Sequence, residues 1–510
     1  MTSPDHQAGG FCAVSPALRP GVPPAQRNRV VHVRPDGRSP VLVEMDLARD
    51  PSTEQTRRDF LALYHRVFGE PADGPPPEPR LLAASYVLCV LGPEEIQRLL
   101  AADRAPDGQG PHTLFRIWPD YTLHAHIDRS VATVKADAVR RAYAATGEGV
   151  VWAVLDSGID GAHPHFAAGN LTGRVARLHR DFTGLVPPLA ADGTPPPDAP
   201  LTDGAGHGTH VAGIIAGSLG EAYRPVIGSV ETVADGLPSW VARELGPGRT
   251  LAGMAPQAQL VSLKVLAERD EGLVTSSSAV IEALYYVRET LNTGGRMLQV
   301  HGVNLSFGCP WDPRDYACGL SPLCREVNLL AGSGVVVVVS AGNGGFGGES
   351  LPGEGSSDAR AVLATITDPG NAEGAITVGS THRDRPHEFG VTYSSSKGPT
   401  LDGRLKPDLL APGEHITSCA TGGLRAQLAS LLPEKADPAT LAAYVEESGT
   451  SMAAPHVSGA IAAFLSARPE YMGRAAEIKR LFCENATSLG RDRYLEGHGL
   501  LDLMRVMSSV

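Results

Sequence analysis

The sequence lacks several features that mark particular classes of protein. No apolar run reaches the roughly 18 residues that a membrane-spanning helix needs, so we expect no membrane partner. The first 20 residues have neither a basic start nor an apolar centre, so no secretory signal is visible. We therefore predict a cytoplasmic protein, with export by a route that uses no signal peptide as the alternative.

Basic residues and cysteines are also in short supply. The 510 residues include 44 Lys and Arg against 56 Asp and Glu, and a net charge of −12 offers no basic surface for nucleic acid. Seven cysteines, an odd number in a long chain, favour a reducing compartment over a disulfide framework. Cys309, Cys318 and Cys324 lie close in sequence, but a zinc site would need a fourth ligand and tighter pairs, so we expect no metal there.

The first quarter of the chain reads as a flexible segment followed by a small domain. Residues 1–27 are rich in Pro and Gly and are expected to be flexible. Residues 28–128 alternate strand and helix patterns, which predicts an α+β domain. Its expected elements are a hairpin within 30–45, a helix from about 52 to 68, a proline linker at 71–80, a strand at 85–91, a helix at 93–103 and two short strands within 112–128.

From residue 129 the pattern changes to apolar strands that alternate with helices such as 274–290. Near-continuous apolar strands indicate a parallel sheet covered on both faces, so we predict an α/β fold. In such sheets the functional groups gather at the carboxyl ends of the strands. The expected strands are 149–156, 258–266, 297–308, 334–340 and 375–380.

Four polar residues occupy such positions, and each also has an ordinary structural interpretation. Asp156 follows a strand and would otherwise form a turn or a helix cap, while His207, flanked by glycines, would otherwise be a structural histidine. Asn343 follows another strand and would otherwise hold a left-handed turn. Ser451 precedes a helical pattern, in which it or Thr450 would otherwise cap the helix.

Together these residues provide the parts for nucleophilic acyl transfer. His207 would take the proton of Ser451, and Asp156 would orient the imidazole and stabilise its charged form. Asn343 would donate its amide to the oxyanion. The order Asp, His, Ser differs from that of the α/β-hydrolases, and the chain around Ser451 lacks their G-x-S-x-G motif.

Three segments then identify a family. VLDSGID, HGTHVAG and GTSMAAPHVSG resemble the three active-site signatures of the subtilases, the subtilisin-like serine proteases. SAGNGG resembles the family's oxyanion segment, SSKGPTLDGRLKPDLLAPG its scaffold stretch and GHGLLD its closing motif, so that the resemblance covers residues 129–510. It implies a subtilisin-like parallel sheet flanked by helices and a serine endopeptidase that requires no cofactor and takes protein or peptide substrates.

The resemblance also implies a role for individual residues. Asp156, His207 and Ser451 become the triad, and Asn343 becomes the oxyanion donor. An extended substrate would pair between two strands, beside a pocket wall. The implied substrate-binding residues are Ser306, Phe307 and Gly308 on one strand, Glu271 and Gly272 on the opposing one, and Ser340, Ala341 and Gly342 in the wall.

The chain departs from the family pattern in three respects. Residues 218–250 lack the Asn-rich signature of the calcium loop of small subtilisins, so calcium is not supported by a recognisable loop. Further insertions at 309–325 and 420–446 are expected to border the cleft. The N-terminal domain is larger than the family's inhibitory propeptide, which it otherwise resembles.

A propeptide-like domain would act as an intramolecular inhibitor. Residues 122–128 would enter the groove as an extended strand, and self-cleavage would fall between Tyr121 and Ser130. A permanent structural domain is the alternative.

Two other functions were weighed. Residues 342–347 match the dinucleotide fingerprint G-x-G-x-x-G, but the Gly- and Pro-rich sequence after it opposes the helix that a dehydrogenase needs there. A protease-like binding module would be expected to lack a catalytic residue, and none is missing.

Overall fold

The chain divides into two compact units, Met1–Ala125 and His126–Val510. In the computed structural model the described residues are 13–14, 18, 20–21, 34, 36–46, 54–69, 78–81, 86–103, 113–119, 127–185, 199–232, 238–245, 251–269, 272–293, 298–309, 317–347, 360–432 and 441–510.

The first unit packs two helices on a mixed sheet. Its described strands have the order β1–β5–β2–β4–β3, with β1 parallel to β5 and the other pairs antiparallel. Alternate residues of β2 and one face of α1 fill a common core, as their apolar spacing predicts. The elements are β1 (Ala13–Val14), β2 (Ser39–Met45), α1 (Glu54–Phe68), β3 (Arg80–Leu81), β4 (Tyr86–Leu91), α2 (Pro93–Asp103) and β5 (Leu114–Pro119).

Most expected elements of this unit are present. The helices near 52–68 and 93–103 and the strand at 85–91 are confirmed as α1, α2 and β4. The first arm of the predicted hairpin and the proline linker up to residue 77 lie outside the described residues.

Two expectations for the N-terminal quarter of the chain differ from the structure at the residues that it describes. The segment expected to be flexible contributes β1, which pairs with Arg116 and Ile117, and it buries Leu18 in the core. The second strand expected within 112–128 does not form at its end, because Ile127–Thr133 is helical. Val131 and Val134 lie on one face of that region and bury their side chains in the core of the second unit, which explains the helical turn.

A parallel sheet forms the centre of the second unit. Its described strands have the order β18–β17–β14–β13–β6–β10–β7, and every pair is parallel. The expected α/β fold is thus confirmed. The strands are β6 (Val151–Asp156), β7 (Arg180–Asp181), β10 (Gln259–Lys264), β13 (Gly302–Leu305), β14 (Val336–Ser340), β17 (Ile376–His382) and β18 (Leu409–Glu414).

Both faces of this sheet are buried, which explains its near-continuous apolar strands. In β6, Trp152 and Val154 face one core, while Val151, Ala153 and Leu155 face the other. The first core includes α5 and α10, and the second includes α6 and α7. The helices of the unit are α3 (Ile127–Thr133), α4 (Ala136–Tyr143), α5 (His207–Ile215), α6 (Ser277–Tyr285), α7 (Pro322–Gly332), α8 (Pro386–Phe389), α9 (Gly422–Ser430), α10 (Thr450–Ala467), α11 (Ala475–Glu484), α12 (Arg493–Glu496) and α13 (Leu503–Ser508).

Two of the predicted insertions build a second sheet together. Its described strands have the order β19–β20–β8–β9, and α9 covers them with Val226, Leu428 and Leu441 in a small core. Strand β20 leads directly into α10. The strands are β8 (Arg224–Thr232), β9 (Pro238–Glu244), β19 (Ile416–Cys419) and β20 (Leu441–Glu447). Two further antiparallel pairs lie among the described residues of the unit, β11 (Ala267–Arg269) with β12 (Gly272–Val274) and β15 (Phe346–Gly347) with β16 (Arg360–Ala361).

None of the helices in the described part of the chain is both long enough and apolar enough to cross a membrane.

Candidate active site

Three adjacent strands bring the predicted site residues to one edge of the parallel sheet. Strands β14, β13 and β6 are neighbours, and because they are parallel their carboxyl ends lie together. Asp156 ends β6, Ser306 follows β13, and Asn343 follows β14.

Asp156 and His207 are in direct contact. Nδ1 of His207 donates to Oδ1 of Asp156 at 2.7 Å, and the amide of Ser157 donates to the same oxygen. His207 is the first residue of α5, and its side chain keeps 22% of its surface exposed while that of Asp156 is fully buried. A Cβ at Gly208 would collide with the carbonyl of Gly158, so this glycine lets α5 begin against the end of β6.

A second carboxylate, Asp203, holds the start of α5. Its Oδ2 accepts from the amide of Thr209 at 2.8 Å and the hydroxyl at 2.6 Å, and its Oδ1 accepts from the amide of Gly206 and the hydroxyl of Ser157, both at 2.9 Å. Burial raises the pKa of Asp203 above its usual value, while these hydrogen bonds act against that rise. The sequence analysis missed Asp203. The capping rule does not point to it, because the N-cap of α5 is Gly206 and Asp203 lies three residues before it.

The charge of Asp156 governs the protonation of His207. Burial by itself would lower the pKa of His207, but attraction and hydrogen bonding from Asp156 outweigh it. With smaller contributions from Glu447 and Asp203, the pKa of His207 rises to about 9. The positively charged form of the His207 imidazole is therefore stabilised.

Ser451 lies in the first turn of α10 and bonds to the strand end at Ser306. Gly449 occupies the N-cap, so the alternative that Ser451 or Thr450 caps the helix is wrong. Oγ of Ser451 donates to the carbonyl of Ser306 at 2.7 Å, and Oγ of Ser306 donates to the carbonyl of Ser451 at 2.9 Å. Pro455 has no N–H to donate to that carbonyl, which leaves it available to Ser306.

Asn343 is oriented by Thr450. Oδ1 of Asn343 accepts from the amide of Thr450 at 3.0 Å and from its hydroxyl at 3.1 Å. Asn343 is an exposed residue, and the acceptor role of Oδ1 leaves its NH₂ group as the donor that remains. The positive φ of 101° belongs to Gly342, and Asn343 is not among the described residues with positive φ, so the left-handed turn expected as an alternative for Asn343 is wrong.

Most of the predicted substrate-binding residues lie at or just after the carboxyl ends of β13 and β14. Strand β13 is followed by Ser306, Phe307 and Gly308. Strand β14 ends at Ser340 and is followed by Ala341 and Gly342, while β12 begins at Gly272. Glu271 lies outside the described residues. A Cβ on Gly342 would lie 2.8 Å from Oγ1 of Thr367, and one on Gly308 would also collide with it, so Thr367 narrows the space between strand and wall. The sequence analysis did not find Thr367, because no motif marks it.

The described residues give no support to a dinucleotide site or to a metal site. Phe346–Gly347 forms strand β15 where a dinucleotide fingerprint needs a helix. Among the described residues, no three or more His, Cys, Asp or Glu side chains are grouped to hold a metal ion.

Comparison with known proteins identifies the family. A family model described as the Subtilase family matches residues 147–500, so the chain belongs to the subtilases. It is 28% identical over 383 residues to an intracellular serine protease of Paenibacillus polymyxa, covering 74% of this chain and 86% of the relative. It is 27% identical over 387 residues to subtilisin E of Bacillus subtilis (75% and 73% covered) and 29% identical over 359 residues to the serine protease AprX of the same species (70% and 65% covered).

Membership of this family defines the chemistry of the chain. It is a subtilisin-like serine endopeptidase that hydrolyses protein or peptide substrates, and the family does so with an Asp-His-Ser triad.

The pKa of His207 can be tested by NMR titration of the imidazole. We expect His207 to titrate well above 6.5, near pH 9, because protonation is favoured by the buried charge of Asp156. In Asp156→Asn that charge is lost and burial remains, so the pKa should fall to 6.5 or below. His179, whose pKa is lowered by burial, serves as the internal control in both proteins. A wild-type His207 that titrates at or below 6.5 would contradict the prediction.

Proposed function

We propose that Ser451 is the nucleophile, His207 the general base and Asp156 the residue that orients His207. The observation that supports this most strongly is the 2.7 Å hydrogen bond between His207 and Asp156 at the sheet edge shared with Ser306 and Ser451. Since Nδ1 is bonded to Asp156, Nε2 is the nitrogen that would take the proton of Ser451.

The acylation step follows from these roles. Oγ of Ser451 rotates away from the Ser306 carbonyl, gives its proton to Nε2 of the neutral form of His207, which predominates above its raised pKa, and attacks the scissile carbonyl. The oxyanion is stabilised by the NH₂ group of Asn343 and by the amide of Ser451, which lies in the first turn of α10 and has no partner within the helix. His207 then protonates the leaving amine. In the second half of the reaction His207 deprotonates a water that hydrolyses the acyl-enzyme, and Ser451 regains its proton.

The substrate would bind as an added strand beside Ser306–Gly308, with Gly272 on the opposing side. Ser340, Ala341 and Gly342 would form the wall next to the scissile bond. Main-chain hydrogen bonds supply affinity in this arrangement, and the pocket supplies preference.

The first unit would act as an intramolecular inhibitor that is removed by self-cleavage. A protease needs an extended segment at its nucleophile, and residues from Ile127 onward are helical. This restricts the proposed window to the bonds between Tyr121 and Ile127, most of which lie outside the described residues.

We also propose a cytoplasmic location. Its support is the similarity to a relative named intracellular serine protease.

Replacing the nucleophile tests the assignment directly. Ser451→Ala should reduce turnover of a peptide substrate by several orders of magnitude, because a triad without its nucleophile retains only binding and oxyanion contributions. Ser466→Ala, which changes a serine near the other end of α10, should leave turnover unchanged. Near-normal proteolysis by folded Ser451→Ala would exclude the assignment, whereas an inactive wild type that still binds peptides would indicate a binding module.

Asn343 should matter for the rate rather than for ground-state binding. Asn343→Ala should lower kcat about 100- to 1000-fold with little change in KM, because the amide is needed once negative charge develops on the carbonyl oxygen. Asn485→Ala, remote from the site at the end of α11, is the control. A change confined to KM would assign Asn343 to substrate binding instead.

Self-processing is decided by the intact mass of the purified protein. The wild type should lose the first unit by cleavage between Tyr121 and Ile127, and Ser451→Ala should stay full length. If both proteins stay full length while the wild type cleaves peptides, the first unit is a permanent structural domain.

A further inference from the structure

A lysine lies buried close to Asn343. Lys397 is 4% exposed, and its Nζ donates to the carbonyls of Gly345 at 2.8 Å, Tyr393 at 3.0 Å and Ser395 at 3.1 Å. An ammonium group has three N–H donors, so all of them are used. No carboxylate of the described residues forms an ion pair with Lys397. The dipoles of the three carbonyl groups therefore solvate its charge.

Burial of a charge in this way is costly unless its partners are held in place. Burial lowers the pKa of Lys397, as expected for an ammonium removed from water. The three carbonyls come from two loops, so the ammonium can be solvated only when these loops are correctly aligned. The solvation of the charge on Lys397 therefore depends on the alignment of the two loops, and favours it.

One of the two loops carries Asn343. The segment around Lys397 makes three more bonds to it: the amide of Ser396 donates to Gly342, the amide of Gly344 donates to Oγ of Ser396, and the amide of Gly345 donates to Ser394, at 2.8, 3.1 and 2.9 Å. A Cβ on Gly345 would collide with both Ser395 and Nζ of Lys397, which shows how closely the loops approach.

We propose that Lys397 is a positioning residue for the oxyanion donor, acting as a built-in cation that holds Gly345 while the neighbouring Ser396 holds Gly342, so that the backbone is fixed on both sides of Asn343. The inference rests on the proposed role of Asn343. Thr450 fixes the side-chain oxygen of Asn343, while Lys397 and its neighbours fix the main chain from which the side chain projects. Both restraints are needed to aim the NH₂ group, since an error of about 1 Å in a catalytic group costs about 100-fold in rate.

The first test is kinetic. Lys397→Met keeps the apolar stem without the charge and should lower kcat by about 10- to 100-fold with KM nearly unchanged. Lys479→Met is the control, because Lys479 also donates to two carbonyls, those of Glu373 and Ala375, and it pairs with Asp408 at 3.0 Å, but at the opposite end of β17. Its kcat should match that of the wild type. A normal kcat in folded Lys397→Met would overturn the proposal.

A double-mutant cycle separates positioning from general stabilisation. If Lys397 acts through Asn343, Lys397→Met should cost less than about 2-fold when introduced into Asn343→Ala. An equal loss in both backgrounds would overturn the proposal while leaving the role of Asn343 intact. Absence of Ser451-dependent hydrolysis in the wild type would instead refute the proposed function itself.

If Lys397→Met does not fold, the proposal is tested with Lys397→Arg instead. The guanidinium keeps the charge but moves the donors, so the folded variant should show lowered kcat with unchanged KM. A normal kcat in Lys397→Arg would overturn the proposal.

Discussion

The two hydrogen bonds between Ser306 and Ser451 join the end of β13 to the first turn of α10, and the rest of the candidate site is arranged around this junction. They exist because Pro455 leaves the carbonyl of Ser451 without a helical donor and Ser306 supplies one. Asn304 and Ser458 extend the connection, with the hydroxyl of Ser458 donating to the amide oxygen of Asn304 and the amide nitrogen donating to Ser306. Helix α10 thus lacks one backbone hydrogen bond at Pro455, and the carbonyl of Ser451 that this leaves without a partner in the helix fixes α10 to the sheet instead.

His207 is positioned by an independent set of contacts. Asp203 and the close approach at Gly208 fix α5, and His210, one turn after His207, connects α5 to the added sheet through the carbonyls of Ile416 and Val445, both at 3.1 Å. Strand β20, which provides the carbonyl of Val445, continues into α10. The insertions therefore support both the helix that carries His207 and the helix that carries Ser451.

Local sequence patterns predicted the central sheet because its strands are buried on both faces, as the six residues of β6 illustrate. They did not predict the added sheet. Strands β8 and β20 are far apart in the chain, and their pairing depends on packing around Leu428 and Leu441. The end of the strand expected at residues 122–128 is helical for a related reason: the helix from Ile127 forms because Val131 and Val134 are buried in the core.

By itself the sequence determined which reactive side chains follow which strands, since alternation of apolar strands and helices places them at one edge of a parallel sheet. It also contained the motifs from which the family can be identified. Only the tertiary structure decided that Ser451 bonds to Ser306, that Thr450 orients Asn343, that Asp203 holds α5, and that Lys397 is solvated by three carbonyls. Each of these contacts depends on the approach of backbone segments that are distant in sequence or belong to irregular loops, and hydrophobic periodicity carries no information about such approaches.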